Sequence, residues 1–180
     1  MNLRFLPFLL FLHLAARAQK TPTGPDLPSP EAFVNAIAPT LVDSGLDHYY
    51  LVAGTDSCRF LKYNYDEWVK YHLVEPVPFQ ELNDLAEKVY LSRYPYFWKQ
   101  AHLHKAICIT SHQADSILNA QKNFVYSFSL PQFTDDGQYA VIDLNLVCGD
   151  RCGKGVTCIF RLTARGDWKL VGENTNWEYH

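Results

Sequence analysis

Cys148 and Cys152 are the pair whose type and spacing most directly imply chemistry, and the three residues between them, Gly149-Asp150-Arg151, decide which chemistry. Thiol oxidoreductases place two residues between their cysteines at a helix N-terminus, where the attacking thiol's pKa falls. Three residues between strand-like segments fit a structural bridge across a hairpin instead. Cys58, Cys108 and Cys158 leave an odd count. Cys158 falls on the apolar positions of its segment and reads as an inert buried thiol, whereas Cys58 and Cys108 can pair only if the fold brings them together.

The remaining reactive types form no recognisable constellation. His102, His104 and Cys108 share one face if their segment is a strand, with His112 nearby, yet no paired-cysteine or H-E-x-x-H spacing accompanies them, so histidines on a solvated face are the simpler reading. Ser57, Ser111 and Ser116 lack a G-x-S-x-G elbow. Gly149, Gly153, Lys154 and Gly155 have the composition of a phosphate cradle without the strand-to-helix setting that gives one its dipole. Carboxylates at Asp66-Glu67, Asp135-Asp136, Asp143 and Asp150 show no shared site, because neighbours in a strand point apart. The sequence therefore assigns no catalytic, cofactor-binding or metal-ligating residue, only the disulfide Cys148–Cys152.

The elements that would position these groups are clearest in the last third. Phe124, Tyr126, Phe128 and Leu130 alternate with polar residues, Thr134-Asp135-Asp136-Gly137 is turn chemistry, and two long alternating runs follow on either side of the cysteine loop. If Cys148 faces Cys152, partner numbers sum to 300, which sets Leu144 opposite Val156 and Ile142 opposite Cys158. In that register the apolar residues gather on one face and Asp143 falls on the polar one. A fourth strand is expected from Trp168 to about Glu173, after the turn Arg165-Gly166-Asp167.

Upstream, Ser29 and Pro30 open a helix carrying Phe33, Val34, Ile37 and Leu41 on one stripe, limited by Pro39. His48 to Ala53 reads as a short strand. Arg59 to Leu73 fits both a strand and a loose helical face. Phe79, Leu82, Leu85, Ala86 and Val89 have helical spacing after Pro78. Tyr94-Pro95-Tyr96 breaks that helix. His102 to Thr110 allows a strand with Leu103, Ile107 and Ile109 on one face, and a helical turn is expected near Asp115 to Asn119.

The first eighteen residues combine a basic start, an apolar run from Phe5 to Leu14 and the small-residue exit Ala16-Arg17-Ala18, the pattern of a secretory signal peptide cleaved after Ala18. The run is too short to span a bilayer, which needs roughly twenty apolar residues. Residues 19–30, with four prolines, read as a disordered tether, and residues 31–180 as a single domain. The full chain has 16 basic and 19 acidic residues, and cleavage removes Arg4 and Arg17, so nothing favours nucleic acid or an anionic membrane. Eleven Tyr, eleven Phe and four Trp are many for this length. Clusters at Tyr63, Tyr65, Trp68 and Tyr71, and at Tyr90, Tyr94, Tyr96, Phe97 and Trp98, could line a groove, although core building is the commoner use of such residues.

From Phe124 to Trp177 the chain resembles a family of uncharacterised exported bacterial proteins. The resemblance rests on a strand like Phe124–Phe133, an acidic turn like Thr134–Ala140, the C-G-x-x-C-G hairpin at Cys148–Gly153 with Gly155 beyond, and a closing G-x-W-K at Gly166–Lys169 with the late Trp177. A looser likeness extends over Pro78 to Thr110. This chain has Gly166-Asp167 where the pattern usually has Asn-Gly. The resemblance implies export and a recurring β-unit; it implies no activity.

The fold expected is α+β, with N-terminal helices packed on a C-terminal four-stranded antiparallel β-meander, an order of elements shared with nuclear transport factor 2-like and cystatin-like cones. Such folds host enzymes and binding modules alike. The expected function is a non-enzymatic ligand- or protein-binding accessory module in the periplasm or outside the cell, its partner an unidentified small molecule or protein. The alternatives are a small pocket hydrolase or isomerase using Asp143, His102 or His104, and an inhibitor or envelope-assembly factor.

Overall fold

The computed structural model describes residues 26–42, 45–60, 65–92, 95–121, 124–149 and 152–179. The segments expected to be a signal peptide and most of a tether lie outside these residues, as do Tyr63, Tyr94, Asp150 and Arg151. Among the described residues, four α-helices and a seven-stranded mixed sheet make an α+β fold. No helix among the described residues is long and apolar enough to cross a membrane.

Helix α1 (Pro30–Leu41) begins where Ser29 Oγ accepts from the Ala32 amide at 3.1 Å and Pro30 supplies a fixed φ at the first position. Its stripe Phe33, Val34 and Ile37 is wholly buried, and the helix ends at Leu41, two residues after Pro39. Strand β1 (Tyr49–Val52) lies inside the segment expected for it. A short α2 (Tyr65–Glu67) runs into a π turn (Trp68–His72), which explains why neither a period of two nor a clean helical period is visible there. Helix α3 (Phe79–Leu91) buries Leu82, Leu85 and Val89, as the spacing predicts.

Strand β2 (Ala106–Ile109) is shorter than expected, because Gln100–His102 form a 3₁₀ turn and Lys105 adopts a left-handed φ of 59°. Leu103 and Ile109 are buried while Ile107 faces solvent, so the proposed face does not form. Helix α4 (Ser111–Gln121) extends well beyond the single turn expected at Asp115 to Asn119. It carries the chain from β2 to β3 (Val125–Phe128), and both strands pair in parallel with β1.

β3, β5 (Tyr139–Val147), β6 (Gly153–Leu162) and β7 (Trp168–Tyr179) follow one another antiparallel across the sheet, with the two-residue β4 (Gln132–Phe133) also paired to β5. A four-strand meander is therefore too small a description: β1 and β2 extend the sheet in parallel and β4 interrupts the run. The cysteine hairpin has the expected register, with Ile142 opposite Cys158 and Leu144 opposite Val156. The Cys148 amide donates to Cys152 O at 3.0 Å, the Cα atoms are 5.0 Å apart, and the two sulfurs are bonded.

Two expectations about the sheet, one of its faces and one of its last strand, need correction. Ile142, Leu144, Val156, Cys158 and Phe160 pack beneath α1 as anticipated, but Val141, Ile159 and Val171 on the reverse face are also fully buried, under Trp68 and the apolar stripe of α3. The sheet is covered on both sides because α3 has its own apolar stripe and needs a second surface to bury it against. β7 also runs six residues past Glu173. Register shifts between Gly155 and Val156 and between Ile159 and Phe160 leave Asn176 and Val171 as extra residues on β7, and these bulges interrupt the alternation that marks a strand in sequence.

The aromatics mostly build core. Phe33 meets Phe133, Phe160 and Trp168 edge-on at 4.9–5.8 Å, and Trp68 and Trp98 are buried, whereas Tyr71, Tyr90 and Phe97 are exposed.

Candidate functional site

Between the part of the reverse face covered by α3 and the part covered by α4 runs a polar strip. Ser127 lies on β3 and Ser129 just past its end, Asp143 and Asn145 lie on β5, and Thr157 lies on β6. The bulge at Asn176 lets both Asn176 and Trp177 of β7 reach the same strip.

Asp143 is its centre and is only 2 % exposed. Oδ1 accepts from Thr157 Oγ1 at 2.6 Å and from the Cys58 thiol at 3.4 Å, and Oδ2 accepts from the Arg59 amide at 2.7 Å. Its own amide donates to Ser129 Oγ at 2.9 Å. Asn176 Nδ2 donates to Thr157 Oγ1 at 2.9 Å, which leaves the Thr157 hydrogen free to point at the carboxylate. A buried charge is tolerable only when so surrounded. Burial still pushes the Asp143 carboxyl above its ordinary value of 3.8, partly offset by the donors from Thr157, Arg59 and Cys58. Burial first, and then the neighbouring Asp143 charge, push the Cys58 thiol well above 9.0. Cys58 is accordingly a protonated donor and not a thiolate nucleophile.

This cluster holds down the segment that crosses the sheet after β1. The Asp56 amide donates to Phe128 O, the Thr55 amide to Tyr96 O, and the Arg59 amide to Asp143. Asp56 accepts from Ser127 Oγ and, at 2.9 Å, from Asn145 Nδ2; Asn145 Oδ1 in turn accepts from Trp177 Nε1 at 3.1 Å. Beside the segment opens a cleft of about 450 Å³, walled by Asp56, Ser57 and Cys58 on one side and Tyr90, Ser92 and Gln132 on the other. Gln132 Nε2 donates to Ser92 Oγ at 3.1 Å, so the far wall is partly preorganised.

The glycines that resembled a phosphate cradle have a different use. A Cβ on Gly155 would lie 2.1 Å from Trp177 Nε1, and one on Gly153 would lie 2.6 Å from Leu146 O and 3.1 Å from the indole. The Trp177 ring rests on bare backbone, which ties Gly153, Gly155 and the late tryptophan into one structural unit.

The other candidates are not brought together. His102 lies in the 3₁₀ turn, His104 beyond it, and His112 on α4, all exposed. Asn35 of α1 fixes their loop by accepting from the His104 amide at 2.7 Å and donating to His102 O at 2.8 Å. Among the described residues no three His, Cys, Asp or Glu side chains converge to hold a metal. Cys58 and Cys108 are both free, the first packed against the reverse-face core and the second against the α1-side core. Ser116 bonds its own helix through His112 O, Asp135 pairs with Lys88, and Asp136 accepts from Thr134 within its turn.

Sequence reasoning missed Glu31, which is 1 % exposed and accepts from Tyr96 Oη at 2.6 Å and from the Lys99 amide at 3.1 Å. Burial raises this carboxyl, but the two donors outweigh it and the net shift is downward. A glutamate in a first helical turn ordinarily serves the helix dipole, so nothing nearby in sequence marks it as a clasp. No known family model, curated protein or solved structure matches this chain.

Proposed function

We propose that the chain is an exported, non-enzymatic binding module whose 450 Å³ cleft takes a small polar molecule. The reading is carried by the state of the thiol that opens on the cleft: Cys58 is held protonated by burial and by Asp143, so the cleft offers hydrogen-bonding groups in place of an attacking thiolate. Asp56, Ser57, Ser92 and Gln132 supply polar groups that converge, and Tyr90 supplies an aromatic wall. Export is supported by the leader-like residues 1–18, by the resemblance to exported bacterial proteins and by a disulfide suited to an oxidising compartment. The antiparallel run β3–β5–β6–β7 with α1 on one face supports the analogy to nuclear transport factor 2-like and cystatin-like cones; the parallel strands β1 and β2 fall outside that analogy.

A pocket enzyme is the second reading, favoured by the contact of Asp143 with a thiol that opens on the cleft. It needs a base within reach of Cys58, and His102 and His104 are fastened to α1 across the sheet.

Amide chemical shifts recorded against sugars, amino acids and dipeptides test the proposal. Saturable shifts confined to Ser57, Ser92 and Gln132 are expected, weakened about tenfold by Gln132→Ala through loss of a hydrogen bond. Absence of any saturable shift, or consumption of a probe at a rate abolished by Cys58→Ser, would overturn it.

A further inference from the structure

A second cleft, of about 280 Å³, lies on the other side of the sheet, between α1 and the loop entering β2. Its chemistry is unlike that of the first. Ala38 and Pro39 of α1, with Val42 and Leu46 beyond its end, form an apolar wall, and His104 and Lys105 stand at the rim. Tyr49 of β1 completes the lining.

Three observations set this cleft apart from ordinary surface roughness. Tyr49 is only 4 % exposed, yet its hydroxyl has no hydrogen-bond partner among the described residues, and a buried donor left unsatisfied is uncommon in a native structure. Lys105 forms no ion pair among the described residues; its ammonium reaches only the Leu46 carbonyl, at a long 3.4 Å. Lys105 is also the one non-glycine residue with positive φ among those described, a conformation that costs energy and is held by the surroundings: its carbonyl accepts from the Tyr49 amide at 2.9 Å, and Asn35 pins the adjoining His102–His104 backbone to α1. A lysine with no ion pair among the described residues thus projects from a constrained backbone position beside an apolar wall and a phenol that has no partner among those residues.

We propose that this cleft binds a small amphiphilic carboxylate, with its hydrocarbon body against Ala38, Pro39, Val42 and Leu46 and its head group received by Lys105, with His104 and the Tyr49 hydroxyl as further donors. The volume, at the small end for ligand pockets, limits the occupant to a short chain or a single ring. The apolar wall supplies most of the affinity and the cation supplies the preference for an anion, since a charge-assisted hydrogen bond is about twice as strong as a neutral one. This site shares no residue with the polar cleft beside Cys58 and stands independently of that reading.

Titration of the folded chain with octanoate, with phenylacetate, and with 1-octanol as the neutral counterpart tests the proposal by amide shifts. Octanoate or phenylacetate is expected to shift Val42, Leu46 and His104 saturably, and 1-octanol to bind at least about tenfold more weakly than octanoate. Lys105→Gln is expected to erase that preference for the anion, and Tyr49→Phe, which keeps the ring in the core, to weaken octanoate about threefold to tenfold. Equal binding of octanoate and octanol, shifts at Ser92 and Gln132 instead, or no saturable shift by either acid would each overturn it. Unchanged amide spectra of the free variants exclude misfolding as the cause of any loss.

Discussion

Replacing Gly155 by alanine is expected to lower stability by about 3 kcal/mol, a fall in melting temperature on the order of 10 °C for a domain of this size. The added Cβ would sit 2.1 Å from Trp177 Nε1 and 2.7 Å from Asn145 Oδ1, so the indole must lift off the β6 backbone and give up its bond to Asn145. Overpacking costs about 1–3 kcal/mol and the lost hydrogen bond about 1 more. The disturbance then spreads, because Asn145 also donates to Asp56 at the edge of the polar cleft. A double-mutant cycle separates cause from coincidence: once Trp177 is alanine, Gly155→Ala should cost less by about 2 kcal/mol. Thermal unfolding followed by circular dichroism measures both, and a single variant melting within about 2 °C of the parent would refute the docked-indole account.

The second large effect belongs to Asp143. Asp143→Leu leaves the part-buried Arg59 amide and the buried Thr157 hydroxyl without their acceptor, and a loss of about 3 kcal/mol is expected in urea unfolding. Asp143→Asn keeps the shape, and its effect depends on pH in a direction set by the carboxyl's raised pKa. The folded chain retains this proton at pH values where the unfolded chain has released it. The carboxyl therefore favours the fold most below about 3.8, and progressively less as pH climbs to the folded value. Asparagine carries no such proton, so its deficit relative to the parent should be larger at pH 4 than at pH 7. The opposite order would mean that Asp143 is ionised and stabilising in the fold. Glu31, shifted downward, acts in the contrary sense: its contribution is present above about 4.5 and is lost as pH falls through the folded value.

Much of this architecture was legible in the chain because the relevant signals are local. The sum of 300 across the cysteine hairpin follows from alternation alone, and it already places Asp143 directly opposite Thr157. The stripes of α1 and α3 follow from spacing. What alternation could not say is that the Asp143 face is buried, since that depends on α3 and Trp68 folding back over it from fifty or more residues upstream. Cys58 is 85 residues from Asp143 in sequence, and no short-range pattern announces such a contact. β7 runs past the end that alternation predicts because its two bulges destroy the period on which strand recognition depends. The glycine spacing marks a hairpin tip, whereas the seat for Trp177 is visible only once β6 and β7 are paired.

The most direct test of the central claim, that burial, reinforced by the Asp143 carboxylate, keeps the cleft's thiol unreactive, is the pH profile of Cys58 alkylation by iodoacetamide, resolved by peptide mapping. The account predicts a rate below that of a free cysteine at neutral pH that climbs only above pH 9, with Cys148 and Cys152 unlabelled in the absence of reductant. A Cys58 rate that plateaus near pH 7 would reveal a thiolate there and contradict the account.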